Sequence, residues 1–292
     1  RDNVACLQVA WDGGGIPGDG VVGAEDCLYL DITAPVGASA VEPLPVMFWI
    51  HGGGNTSGFK GYYDFSTLVE SQQVIVVAIN YRLGPFGWFS HPVVQKQAEG
   101  LDRSSNFGTL DIIQALSWVQ QNISEFGGDA KNVTLFGESA GGHNVFALLA
   151  SPLSEGLFQK AISQSGYLKT NTVEEAINAD DDYPRIRRSS SQLFASMVDA
   201  GVLADVSTKS AYDVAGNTLM EYYLELNDQG DVPLTTADGI VISKEGMLAA
   251  LADSSNAKDV PVIAGANRDE VTLWMSRHRY FVNADYLLTR WL

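Results

Sequence analysis

The strongest constraint on this chain lies where the apolar run Val133-Thr134-Leu135-Phe136 passes without a linker into Gly137-Glu138-Ser139-Ala140-Gly141 and then into an apolar stretch reaching Leu149. Val133 to Phe136 reads as a buried strand and Ala140 to Leu149 as a helix. A strand that reverses this abruptly into a helix needs residues without a β-carbon beside the turn, and the G-x-S-x-G pattern supplies them. The strain leaves the one serine hydroxyl exposed, so Ser139 is the candidate nucleophile. Three fixed positions in five recur by chance. The strand before them and the helix after them are the context that the chemistry requires.

Flanking segments extend the same architecture. Asp26 to Ala34 alternates as a strand, while Leu44 to Ile50 and Val74 to Asn80 are continuous apolar runs of the kind buried on both faces of a sheet. Tyr81-Arg82-Leu83-Gly84-Pro85 ends the latter in a glycine-proline turn. Leu110, Ile113, Leu116, Val119 and Ile123 recur at helical spacing, so Asn106 to Asn122 reads as an amphipathic helix running into Gly127-Gly128. Ala161 to Ser165 reads as a further strand, and Val260 to Gly265 as a buried one. Alternating strands and helices predict an α/β fold with a mostly parallel sheet, whose reactive groups gather at the carboxyl ends of the strands. Between about 170 and 259 the pattern loosens into polar runs and short helices, read as a cap or insertion on a single domain covering 1–292.

Composition narrows the partners. With 18 basic against 35 acidic residues among 292, the net charge of −17 disfavours nucleic acid and anionic membrane. The longest purely apolar run, Val74 to Ile79, is far short of the ~20 residues that span a bilayer. No basic n-region followed by an apolar stretch opens the sequence, so any secretion signal is expected to have been removed or to lie outside it. Cys6 and Cys27 are the only cysteines, and the glycines between them predict a loop with little secondary structure of its own. On the residues alone, two buried thiols and one disulfide stay equally open.

His51-Gly52-Gly53-Gly54 follows the strand ending at Ile50. A triple glycine can be merely a flexible turn. Beside a nucleophilic serine it also lets backbone N–H groups approach a tetrahedral oxyanion, which makes Gly53 and Gly54 candidate donors together with the N–H of Ala140. His51 is expected to pin this loop rather than to act as a base, because a base must reach Ser139 Oγ.

The segments EDCLYLDI, PVMFWIHGGG, VIVVAINYRLGPFGWF, NFGTLDIIQALSWVQQNISEFGGDAKNVTLFGESAGG, LFQKAISQSG and GANRDE, in this order, resemble the type-B carboxylesterases, the cholinesterase-like branch of the α/β hydrolases. The resemblance is dense from Cys6 to Gly166 and thinner beyond. It implies an α/β-hydrolase fold with helices on both faces of the sheet. It also implies Ser139 as nucleophile, Glu138 as the acidic residue beside it, Gly53, Gly54 and Ala140 as the oxyanion hole, Glu270 as the triad acid and Ser165 as a buried serine near that acid. By the same resemblance Cys6 and Cys27 pair in a disulfide, which points to a secreted or periplasmic protein.

Two departures stand out. Val271 follows the acid where the family commonly has glycine, and the family's catalytic histidine lies far downstream of the acid. Four histidines exist, His51, His91, His143 and His278. His143 sits one helical turn beyond Ser139 and points along the helix. His278 lies eight positions after Glu270 in a helical-looking stretch. The expected arrangement is therefore the central piece of a longer esterase, whose base comes from a complementary C-terminal segment. No metal or organic cofactor is implied, and the substrate class is a small-molecule carboxylic ester. The rival is a non-catalytic, cholinesterase-like binding or adhesion domain: the intact serine and glycine motifs argue against it, and the missing base argues for it. Asn55, Asn122 and Asn132 each begin a glycosylation sequon.

Overall fold

A computed structural model describes residues 4–10, 16–96, 98–177, 190–205, 215–225, 233–270 and 272. Two short strands, β1 (Gln8–Val9) and β2 (Val21–Val22), pair as a ribbon. Six others form the main sheet: β3 (Leu30–Thr33), β4 (Leu44–Ile50), β5 (Ile75–Ile79), β6 (Gly128–Glu138), β7 (Lys160–Gln164) and β8 (Val262–Gly265). Their order across the sheet is β3-β5-β4-β6-β7-β8. Only the β3–β5 pairing is antiparallel. The strands foreseen from apolar runs are present with ends shifted by a few residues, but β8, expected to be buried, is exposed along its whole length, because it stands last in the strand order with a partner on one side only among the described residues. The largest shift is in β6, which begins at Gly128 because the polar stretch Asp129 to Asn132 joins the strand ahead of its apolar core.

Alternation along the central strands divides the core between two faces. Val46, Phe48 and Ile50 of β4 and Ile75, Val77 and Ile79 of β5 pack with Ile112, Leu116 and Val119 of helix α1 (Phe107–Asn122) and with Val145 and Leu148 of helix α2 (Ala140–Ala150). The intervening Trp49, Val76, Ala78 and Phe136 cover the opposite face, where they meet Val69 and Phe65. A strand buried on both faces has no polar side to alternate with, so it reads as an unbroken apolar run. Each fully buried side chain of this kind stabilises the fold by about 1.5–3 kcal/mol. A third cluster joins Leu7 to Leu193, Phe194, Met197, Met220 and Tyr223. These come from helices α3 (Ser190–Asp199) and α4 (Gly216–Glu225). No helix among the described residues is long and apolar enough to cross a membrane.

Register places the loops that matter. Parallel pairing sets Ile50 opposite Gly137, Glu138 opposite Gln164, and Gln164 opposite Gly265. The segments leaving β4, β6, β7 and β8 therefore emerge side by side at one edge of the sheet, where an open α/β sheet forms its crevice.

Cys6 and Cys27 are bonded, with Cα atoms 4.8 Å apart. The loop between them departs from expectation, since it carries the β1–β2 ribbon, in which the β-branched pair Val21-Val22 lies against Gln8-Val9. Asn80, at the end of β5, donates from Nδ2 to the carbonyls of Val4 (2.7 Å) and Cys27 (2.9 Å), so the bridge is fastened to the sheet. Closing a loop of 21 residues predicts a contribution of about 3 kcal/mol from the disulfide. Replacing both cysteines by serine should lower the urea midpoint accordingly; an unchanged midpoint would contradict this.

Candidate active site

Strand β6 ends at Glu138 and helix α2 begins at Ala140, which leaves Ser139 as the whole of the turn. Its backbone sits at φ 58° and ψ −119°, a region that costs a non-glycine residue about 1–3 kcal/mol and persists only where the surroundings enforce it. Here the enforcement is visible. Ser139 N–H donates to the Gln164 carbonyl of β7 at 2.8 Å, and Ser139 C=O accepts from His143 N–H at 2.9 Å to start the helix. A β-carbon on Gly141 would come within 2.0 Å of the Ile50 carbonyl, so only glycine lets α2 settle against β4. Ser139 stays partly exposed. Ala140 N–H belongs to the first turn of α2, where backbone donors lack helical partners and the helix dipole favours negative charge.

The triple-glycine segment packs directly on this turn. A β-carbon on Gly52 would lie 3.2 Å from Ser139 Cβ and 3.1 Å from Glu138 Oε2. The segment is braced rather than slack, because the Gly53 carbonyl accepts from Thr56 N–H at 3.1 Å and Ser57 N–H at 3.0 Å. Gly53 (φ 97°) and Gly54 (φ 63°) hold left-handed conformations. Neither N–H donates to a protein acceptor among the described residues. Two backbone donors beside a strained serine can stabilise an oxyanion formed on an attacked carbonyl.

Glu270 completes the cluster. Its Oε2 accepts from Ser165 Oγ at 2.9 Å and from Asn267 N–H at 3.0 Å. Ser165 is half-buried rather than buried, and it holds φ 53° at the end of β7. Burial pushes the Glu138 carboxyl above its ordinary range, and the nearby Glu270 charge pushes it in the same direction. Ser139, Glu138, Ser165 and Glu270 are thus gathered at one end of the sheet, beside Gly53 and Gly54.

The histidines divide cleanly. His51 is buried, stacks on Tyr81 with ring centroids 4.3 Å apart, and engages the Gly52 carbonyl through Nδ1 at 2.8 Å. That is the pinning role expected for it. His143 is also buried; its Nδ1 meets the Tyr167 carbonyl at 2.8 Å, and its Nε2 faces Thr235 Oγ1 at 3.3 Å, so both ring nitrogens are engaged by other groups. His91 caps a short helical turn by accepting from Val93 N–H at 3.2 Å. His278 lies outside the described residues.

Sequence reasoning missed what Asn55 does. Fully buried at φ 57°, it donates from Nδ2 to the Pro233 carbonyl and accepts at Oδ1 from Asn144 Nδ2, both at 3.0 Å. Its carbonyl accepts from Gly84 N–H at 2.7 Å. The residue therefore ties the glycine loop to α2 and to the segment around Pro233, and an amide so engaged is closed to glycosylation. A sequon reports a local pattern and carries no information about burial.

Known proteins resemble this chain over most of its length. The model of the carboxylesterase family matches residues 2–284. Para-nitrobenzyl esterase of Bacillus subtilis is 40% identical over 255 residues, 87% of this chain and 49% of that protein. Carboxylesterase 1E of Mus musculus is 38% identical over 260 residues, 85% of this chain and 43% of that one. A solved PNB esterase superposes with a TM-score of 0.74 at 34% identity, covering 93% of this chain and 53% of its own. A Geobacillus stearothermophilus carboxylesterase gives 0.76 at 28% identity, covering 98% and 64%. The chain spans about half the length of the curated relatives it matches.

Burial lowers both His51 and His143 from 6.5 to about 4, only partly offset by their bonds to the carbonyls of Gly52 and Tyr167. Unfolded, both rings take up protons near 6.5, so between about 6.5 and 4 the unfolded chain binds more protons than the folded one. Stability should therefore drop as the pH is lowered from about 6.5 towards 4, by up to about 1.4 kcal/mol per pH unit for each ring. Urea titrations at pH 7, 6 and 5 check this; a flat profile would show that the rings are not buried as neutral groups.

Proposed function

This chain belongs to the carboxylesterase family, and we propose that the protein hydrolyses small-molecule carboxylic esters through a serine acyl-enzyme. The observation that carries the reading is the strained Ser139 at the β6–α2 turn with the triple-glycine loop packed against it. In the proposed cycle Ser139 Oγ attacks the ester carbonyl, and the N–H groups of Gly53, Gly54 and Ala140 hold the resulting oxyanion. The alcohol leaves, and water then attacks the acyl-serine. Glu270, held by Ser165 and Asn267, is the triad acid that orients the base, and Glu138 lines the cleft beside the nucleophile.

The described histidines are all engaged elsewhere, which supports assigning the base to a histidine in a complementary C-terminal segment beyond this chain. We also assign 170–259 as a cap over the sheet edge. The Cys6–Cys27 bridge supports a secreted or periplasmic location, since disulfides persist in oxidising compartments.

In the full natural protein, Ser139→Ala should lower kcat on a small activated ester by roughly 10⁶ while leaving the unfolding midpoint within about half a kcal/mol of the parent. Parent activity should rise with pH through a histidine pKa near ~6.5. A serine-directed organophosphate should label Ser139 in the parent. Near-parental turnover by the variant would overturn the nucleophile, and an unlabelled, inactive parent would favour the non-catalytic binding domain.

A further inference from the structure

Gln8 is wholly buried beside the disulfide, and every polar atom of its carboxamide is spent. Oε1 accepts from Gly58 N–H at 2.9 Å, while Nε2 donates to the Gly58 carbonyl at 2.9 Å and to the Cys6 carbonyl at 3.1 Å. The side chain thus grips both polar groups of one glycine, fifty residues away in sequence, and ties that glycine to the bridged loop. A buried amide with all its partners in place holds one geometry, because letting go leaves several buried polar groups unpaired.

Gly58 is where the triple-glycine segment ends. It holds φ 115°, and a β-carbon there would come within 2.4 Å of His51 Nδ1, so its backbone rests on the imidazole. His51 in turn fixes the start of the segment through the Gly52 carbonyl at 2.8 Å. The middle is closed on itself at the Gly53 carbonyl, which also accepts from the hydroxyls of Thr56 (3.1 Å) and Ser57 (3.2 Å). The loop therefore has two anchors. His51 pins its first end and Gln8 its second, with Gly53 and Gly54 between them.

We propose that Gln8 is a positioning residue for the oxyanion loop: its clamp on Gly58, backed by the Cys6–Cys27 bridge, sets where the Gly53 and Gly54 N–H groups stand relative to Ser139. This rests on the esterase reading above. Gln8 is in none of the described contacts with the serine turn, so it acts only through the loop. Oxyanion donors serve the transition state far more than the ground state. Loosening their support therefore lowers kcat more than it raises KM.

The test uses Gln8→Met in the full natural protein, since methionine keeps the length and apolar volume but cannot bond Gly58. Losing one oxyanion donor typically costs about 10²–10³ in kcat, so a displaced pair is expected to cost on the order of 10–100-fold. KM should move less than about threefold, and affinity for a trifluoromethyl ketone, which forms a tetrahedral adduct on the serine, should fall by the same factor as kcat. Should that variant not fold, Gln8→Asn, which keeps the amide but withdraws it by one carbon, is read in the same way. A folded variant with kcat and ketone affinity within twofold of the parent overturns the proposal. Ser139→Ala run in parallel separates the two readings. If it is dead while Gln8→Met is unaffected, only the role of Gln8 falls; if it stays active, the Ser139 acyl-enzyme reading on which this proposal rests falls.

Discussion

Everything at the candidate site depends on the parallel pairing of β4 with β6. With Ile50 opposite Gly137, the chain leaves both strands at the same height, one as a glycine loop and the other as a serine turn. A one-residue slip would send Ile50 and Phe48 to the wrong face of the sheet, because side chains alternate with period two. The apolar cluster under α1 and α2 therefore enforces the register, and the register sets the loop against the serine.

That cluster also carries the strain at Ser139. A backbone at φ 58° on a serine is tolerable only if neighbours over-determine it. The Gln164 carbonyl holds the residue from one side, and the close approach of Gly141 to Ile50 holds the helix from the other. Charge is arranged with similar economy. Glu138, pushed towards its neutral form by burial, and Glu270, kept in place by a hydroxyl and a backbone N–H, share the end of the sheet that receives the substrate in the proposed reaction.

The glycine loop shows how backbone donors become fixed without side chains of their own. Its conformational freedom is removed from outside by buried polar groups: the neutral His51 ring at one end, the Gln8 amide at the other, and Asn55 between. Each is fully or nearly fully buried and bonded to backbone, so the hydrogen bonds that offset its desolvation exist only when the loop is in place. Loop order and a packed interior are therefore one event. The Cys6–Cys27 bridge contributes by keeping Gln8 near the sheet edge.

The sequence by itself determined most element types and the position of the strand-to-helix turn that carries the candidate nucleophile. The unbroken apolar run Val74 to Ile79 reads as a strand buried on both faces, and G-x-S-x-G between a strand and a helix confines the backbone to a narrow choice. The candidate donors stood in contiguous motifs, whereas Glu270 as a candidate acid came only from the family resemblance. Only the tertiary structure decided which distant groups support them. The contacts Gln8–Gly58, Asn55–Pro233 and Ser165–Glu270 join residues 50, 178 and 105 positions apart. A lone glutamine or asparagine in a chain gives no sign of such a partner, since hydrogen bonding of an amide is set by what folding brings to it. The β1–β2 ribbon inside the glycine-rich loop was hidden for the same reason: strands two residues long have no period to read.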